Sequence, residues 1–381
     1  MRRRERFPHH RHILSLRWLG LVGLFLLLIW TSSACSSVTP APPILKIGLV
    51  APFEGRYRYI GYDAIYAARL AAREINAAGG ISGHRLVLVS YDDRNDPASA
   101  RDAARNLGID PDVIAVIGHY HQQTTTAARL TYIEYGMPLL AMGAWFTNTH
   151  ASVYQLAPPV DRLTDAMVTA ALSDEEDACG VIWGDDVLAH SLSSASGMRL
   201  CHSDEDNPAF VLSSEPPHVA AVHFTEQRTA GWTGKLVGGP ELGASDFVDV
   251  AGASAVQGQR FLTPYPFPED LPDTQDWRQA YKSLGPHVPQ PGPYALPTYE
   301  AVNLLAEALA ADIAANTEPS RDGLRTALRE VSRQGRLGAI ALNEQGVWQE
   351  SPLYLYVWRD GEPHLWQVIS PPETEVRNSD I

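Results

Sequence analysis

The sequence predicts an α/β protein built from doubly wound parallel sheets, and three observations predict it. Apolar runs of strand length alternate with amphipathic runs of helix length, as right-handed βαβ crossovers require. The first strand, Ile44–Ala51 (ILKIGLVA), is almost continuously apolar, the pattern of a parallel strand buried on both faces. The alternation restarts after Pro158-Pro159, so the 381 residues divide into two lobes of ordinary size.

The elements follow in order. Tyr62–Asn76 reads as a helix with Ile65, Ala68, Ala72 and Ile75 on one stripe, stopped by Gly79-Gly80, where positive φ is needed. Arg85–Tyr91 is the next strand. Asp96-Pro97 opens a helix, with Asp as the cap and Pro in the first turn. Val113–Ile117 is a third strand, Thr124–Glu134 a third helix and Pro138–Met142 a fourth strand. In the second half, Asp161–Leu172 is a helix, Cys179–Trp183 a strand, Val187–Ala195 a short helix and Met198–His202 a strand. His218–Phe224 and Lys235–Gly238 read as further strands, which leaves this lobe thin in helix. Thr298–Ala315 and Arg321–Ser332 are helices, and Leu353–Arg359 with Leu365–Val368 closes the chain as a hairpin around Asp360-Gly361.

Composition narrows the function. Hydrophobic residues make up 45% and charged residues 19%, and Gly and Pro are scattered, which excludes fibrous, coiled-coil and largely disordered chains. Net charge is −14. Six arginines stand against Glu5 in residues 1–34, so the remainder carries 24 basic and 43 acidic side chains, or −19. Such a surface repels phosphate, and no nucleic-acid partner is expected.

The arginine-rich head, the uncharged run Trp18–Trp30 and the small residues Ser32-Ser33-Ala34 read as a secretory signal peptide over residues 1–34. The thirteen-residue run would span roughly 20 Å as a helix, short of the ~30 Å hydrocarbon core. Cys35 follows at a site resembling the lipobox of bacterial lipoproteins, with Ser32 where Leu is usual. Lipidation at Cys35 is the expectation; cleavage elsewhere and an uncleaved anchor are the alternatives. Residues 35–43 then form a Pro-rich tether, which puts the body on the extracytoplasmic face of the cell membrane. Cys179 and Cys201 flank a strand–helix–strand segment on the secreted side, where they are either bridged or two buried thiols. With no third thiol or paired His, a zinc site is not expected.

The segments Gly48–Pro52 (GLVAP), Ala71–Gly83 (AAREINAAGGISG) and Asp92–Pro97 (DDRNDP) resemble the type I periplasmic binding proteins, specifically the leucine/isoleucine/valine-binding family of ABC importers. Further matches are Val116–His119 (VIGH), Gly238–Glu241 (GGPE), Ala251–Gly258 (AGASAVQG), Tyr299–Val302 (YEAV) and Leu337–Gly346 (LGAIALNEQG), so the resemblance spans the mature chain. It implies two lobes joined by a three-crossover hinge, with residues 44–157 plus 262–336 in lobe one, residues 158–261 plus 337–370 in lobe two, and residues 371–381 as a tail. A small solute would lie between the lobes and be handed to a permease. In open parallel sheets, ligands sit beyond the carboxyl ends of the strands, where helix N-termini offer free N–H groups.

Candidate site residues follow from those strand ends. The loop Phe53–Gly61 carries Tyr57 and Tyr59, either of which would cover a ligand with its ring, or both pack on their own lobe. Gly118–Thr125 (GHYHQQTT) follows the third strand. The family holds an amino-acid carboxylate here with backbone N–H groups and a Ser, and Gln122 stands nearest that Ser, beside Gln123 and Thr124. Thr124 reads equally as the helix cap. His119 and His121 lack a third ligand nearby, so hydrogen-bonded loop histidines are expected rather than a metal site. After the fourth strand the family uses backbone and a small polar residue; this chain has Ala144, Trp145 and Phe146, which suggests an aromatic wall. Glu241 matches the family carboxylate that takes the ligand ammonium. The family Tyr after the first lobe-two strand is missing, leaving Asp185 or Asp186 as substitute or cap, and Phe224 stands where a family aromatic follows a strand.

No Gly-x-Ser-x-Gly, His-Glu-x-x-His, Walker or Gly-x-Gly-x-x-Gly motif occurs, and no enzyme activity or cofactor is expected. The expected function is that of a monomeric, extracytoplasmic solute-binding protein of an ABC importer, taking an amino acid or similar small polar solute. The alternatives are a ligand-sensing module partnered with a separate signalling protein, and a family member that no longer binds.

Overall fold

The computed structural model describes residues 41–146, 150–173, 178–195, 197–201 and 207–371. The expected signal peptide, Cys35 and nearly all of the expected tail lie outside the described residues.

The first lobe is a sheet flanked by helices: β1 (Ile44–Ala51), α1 (Arg58–Ala77), β2 (Arg85–Asp92), α2 (Pro97–Ile109), β3 (Val113–Ile117), α3 (Gln122–Glu134), β4 (Leu139–Ala141) and β5 (Val153–Gln155). Its five strands run in the order β2-β1-β3-β4-β5, every pair parallel. The pleat explains why the apolar run of β1 is continuous. Leu45, Ile47, Leu49 and Ala51 face the core under α1, while Val50 faces the opposite core under α2 and α3.

The second lobe contains α4 (Val160–Leu172), β6 (Cys179–Trp183), α5 (Val187–Ser193), β7 (Arg199–Leu200), β8 (Phe210–Ser213), α6 (Pro217–Thr229), β9 (Lys235–Gly238), a 3-10 turn (Pro240–Gly243), α7 (Ser245–Ala251) and β10 (Arg260–Thr263). The chain then returns to the first lobe as α8 (Gln275–Lys282), α9 (Ala295–Asn316), α10 (Arg321–Glu330) and the ribbon β11 (Ser332–Gly335) with β12 (Gly338–Ala341). It ends in β13 (Leu353–Arg359) and β14 (Glu362–Ile369) of the second sheet. That sheet has seven strands in the order β14-β13-β10-β9-β8-β6-β7, with β13 antiparallel to both neighbours and the rest parallel. The chain therefore crosses between lobes three times. A disulfide joins Cys179 to Cys201 at the sheet's far edge.

Several expectations are corrected. His218–Phe224 lies inside helix α6, where Ala220, Ala221 and Phe224 pack on one side at helical spacing. The strand of this unit is Phe210–Ser213, four buried residues. The lobe is accordingly helix-covered on both faces, by α4 and α5 over one core and by α6 and α7 over the other. The lobe boundaries shift as well. Leu262 and Thr263 pair within β10 of the second sheet, while Leu337, Ile340, Leu342 and Trp348 pack into the core of the first lobe.

Candidate functional site

The carboxyl ends of β1, β3 and β4 in one lobe and of β6, β8 and β9 in the other open onto one cleft of about 640 Å³. The topology dictates the location, because each crossover leaves its strand at that end and turns into a helix. The volume falls in the range of small-molecule sites.

The first-lobe wall is built from the loops after β1, β3 and β4. Gly143 sits so close to the Tyr120 carbonyl that a Cβ there would fall within 1.8 Å of it, and this close approach lets the two loops stack. Gln122 locks them further: its Oε1 accepts from Trp145 N (2.8 Å) and its Nε2 donates to Trp145 O (3.2 Å). Gln123 Nε2 donates to Asn95 O (3.0 Å). Both glutamines line the cleft, but their amides hold neighbouring backbone. His121 is the N-cap residue of α3 and makes no side-chain cap bond, so the first N–H groups of that helix are left open. Its ring is buried at 5% exposure and packs edge-on against Tyr57, centroids 4.5 Å apart. Burial, and secondarily the Glu241 carboxylate, pushes the Tyr57 phenol up to about 12, so it stays a hydroxyl donor at neutral pH.

The two histidines diverge. His119 Nδ1 lies 2.6 Å from Asp93 Oδ2 and its Nε2 lies 3.2 Å from the Tyr132 hydroxyl, all fully buried away from the cleft. This pair ties β3 to the loop after β2. Among the described residues no group of three or more His, Cys, Asp or Glu is placed to hold a metal.

The second-lobe wall comes from Gly184–Asp186, Ser214–Pro216 and Gly239–Glu241. Glu241 sits in the 3-10 turn after β9, and its Oε1 is 3.7 Å from His121 Nε2 of the facing lobe. Asp186 caps α5 by accepting from Ala189 N (2.9 Å), while Asp185 beside it is exposed. Glu215 Oε2 lies 3.0 Å from His223 Nδ1. Outside the cleft lining, Arg56 and Asp246 join the lobes through a 2.7 Å ion pair.

Five of the expected contacts do not line the cleft. Thr124 is fully buried inside the first turn of α3 and donates its hydroxyl to His121 O. Ala144 is buried beneath the wall. Phe146 packs in the core under α2 and α3, with the Arg129 guanidinium 5.1 Å from its ring centroid, because adjacent residues of an extended chain point to opposite sides. Its neighbour Trp145 takes the cleft side. Phe224 is buried under α6, a consequence of the helix where a strand was expected. Tyr59 lines a second, smaller cavity of about 260 Å³, with Asp63, Phe267 and Tyr294.

Sequence reasoning passed over Asn95, Tyr120, Ser214, Glu215, Tyr265 and Tyr294, all of which line the cleft. Ser214 and Glu215 were findable by the strand-end rule once Phe210–Ser213 is read as a strand. Tyr265 follows β10 by the same rule; it stands on a crossing, and its hydroxyl donates to Met142 O and to Leu156 O (2.9 Å).

Comparison with known proteins agrees with this architecture. The sequence matches the family described as periplasmic binding protein over residues 44–198 and 204–362. The leucine-, isoleucine-, valine-, threonine- and alanine-binding protein of Pseudomonas aeruginosa is 24% identical over 358 residues, 85% of this chain and 92% of that protein. The branched-chain amino acid transporter substrate-binding protein LivJ of Streptococcus pneumoniae, solved with isoleucine, superposes with a TM-score of 0.73 at 19% identity, covering 86% of this chain and all of that one. An ABC transporter substrate-binding protein of Desulfitobacterium hafniense, solved with Leu, gives 0.70 at 19% identity, covering 84% and 99%. Two doubly wound lobes, three crossings and a cleft at facing strand ends, together with a family match across most of the chain, make this protein a member of the periplasmic binding protein family.

Proposed function

We propose that the protein is the solute-binding component of an ABC importer and that it holds an amino acid or a similar small zwitterion between its lobes. One observation carries the reading: Glu241 of one lobe lies 3.7 Å from His121, the N-cap residue of α3 in the other lobe, and that helix start has no side-chain cap. A carboxylate accepts from an ammonium, and an open helix N-terminus attracts a carboxylate, so both poles of an amino acid meet complementary groups. The solute then bridges the lobes. Its binding energy favours the closed arrangement, and release to a permease reopens it without covalent change. Names of relatives that bind branched-chain amino acids support the amino-acid class. An extracytoplasmic body tethered through lipidated Cys35 and working as a monomer fits this role, with residues 44–157 and the returning helices as one jaw.

A thermal-shift screen of the mature chain against amino acids, amides and short peptides tests it. A ligand at a hundred times its dissociation constant stabilises the folded state by ~2.7 kcal/mol, and at least one amino acid is expected to do so. Unchanged unfolding across the panel contradicts the reading and favours a chain that no longer binds.

A further inference from the structure

The cleft carries more negative charge than one zwitterion uses. Asp185, Asp186, Glu215 and Glu241 line it, and among the described residues that line it there is no lysine or arginine. Asp186 is engaged as a helix cap and Glu215 with His223, but neither contact removes the surplus sign of the site. Asp185 is exposed at the turn after β6.

A second observation points to a ligand with hydrogen-bonding groups of its own. His121 is more than nine-tenths buried on the opposite wall, and neither of its ring nitrogens has a hydrogen-bond partner in the protein. Asn95 Oδ1 and Trp145 Nε1, on the same wall, are buried and unpartnered too. Polar atoms left unpaired in a buried wall are costly, so the occupant is expected to supply their partners. An aliphatic side chain supplies none. It would also lie against carboxylates to which it can offer no charge or donor.

Resting on the reading of the cleft as the solute site, we infer that the solute is a net-positive amine carrying two cationic nitrogens. One ammonium meets Glu241. The second group, ammonium or guanidinium, meets the Asp185 and Glu215 side and donates to neutral acceptors such as Asn95 Oδ1. The rings of Tyr57 and Trp145 suit this cargo, since aromatic faces attract cations. Basic amino acids and linear diamines share this chemistry and differ in the carboxylate, for which Trp145 Nε1 and the α3 N-terminus are the donors.

Isothermal titration of the mature chain with arginine, ornithine, putrescine, leucine and glutamate tests the inference. The cations are expected to bind at least about tenfold more tightly than leucine, with affinity falling as ionic strength rises. Ornithine binding more tightly than putrescine marks a basic amino acid as the source, and the reverse marks a diamine. Asp185→Asn, on an exposed turn, is expected to weaken the cations several-fold, and Glu215→Gln checks the same charge from the neighbouring loop. Leucine or glutamate binding as tightly as arginine overturns the inference while leaving the solute-binding reading intact. Cation affinity unchanged in the double variant Asp185→Asn, Glu215→Gln overturns it as well. Failure of all five to bind, with another amino acid stabilising the fold in the thermal-shift screen, overturns the inference alone, and no effect across that whole panel overturns both.

Discussion

His121 Nε2 lies 3.7 Å from Glu241 Oε1, and this contact joins the loop after β3 to the turn after β9 across the cleft. Two residues 120 positions apart in the chain thus stand where a small solute would touch both lobes at once. Glu241 supplies the carboxylate of this contact, the group that the ammonium of the proposed solute would meet.

Glu241→Gln is therefore expected to weaken any amine-bearing solute at least about tenfold, the scale of a lost charge-assisted hydrogen bond. The substitution keeps the side chain's shape, so the unfolding midpoint without solute should barely move. Titration calorimetry on both forms decides it, and equal affinities would remove Glu241 from the site.

The Arg56–Asp246 pair ties the lobes together at a solvent-accessible position. An exposed ion pair adds little to global stability, but it acts on the balance between open and closed forms. Arg56→Glu is expected to enlarge the radius of gyration of the solute-free protein in small-angle scattering with little change in unfolding midpoint. A radius identical to that of the parent protein contradicts this role.

Asp63 gives a pH signature. Its carboxylate is buried and accepts from Gly292 N (2.9 Å) and Tyr294 N (3.2 Å), yet burial dominates and pushes its pKa up to about 7. The folded state then keeps a proton that the unfolded chain loses near pH ~4. Asp63 accordingly stabilises most below about pH 4, and its contribution is lost as pH rises through about 7. Asp63→Asn forfeits one of the two N–H bonds at every pH but removes this slope, which is on the order of a few kcal/mol. Denaturant unfolding between those pH values should fall more steeply for the parent than for the variant; parallel slopes would refute it.

The Cys179–Cys201 bridge closes a loop across β6 and β7 with a sequence separation of 22. Replacing both residues with Ala is expected to cost ~3 kcal/mol in the chain-entropy account, and reductant should lower the parent's unfolding temperature toward the variant's. A parent insensitive to reductant and equal in stability to the variant would dismiss the bridge as a stabiliser.

Much of the first lobe was legible because its signals are local. Asp96 caps α2 through a 2.7 Å bond from Ser99 N, as the Asp-Pro pair implied, and Gly79 and Gly80 take positive φ where α1 ends. The second lobe was read less well. The run VAAVHF is apolar enough for a buried strand, and only the Ala220, Ala221 and Phe224 spacing with Pro217 ahead of it marks a helix. That single misreading moved Phe224 into the site on paper and hid Ser214 and Glu215.

Within the site, the strand-end rule located the loops but not the side chains. Trp145 and Phe146 are adjacent aromatics after one strand, and only the local chain direction sends the first to the cleft and the second to the core. Tyr294 reaches the cleft from the start of α9, far along the chain, through packing that no local pattern encodes. Gln122 and Gln123 read as ligand contacts, whereas their amides bind the backbone of two neighbouring loops, a partnership visible only once those loops are folded together.

The central claim is that a solute lies between Glu241 and the α3 N-terminus, touching both lobes. A crystal structure of the protein grown with the solute that stabilises it most tests this directly. The account predicts a cationic nitrogen within hydrogen-bond reach of Glu241 and a further polar contact to His121 or Trp145. A solute seated in the smaller cavity beside Asp63, or on one lobe alone, would contradict it.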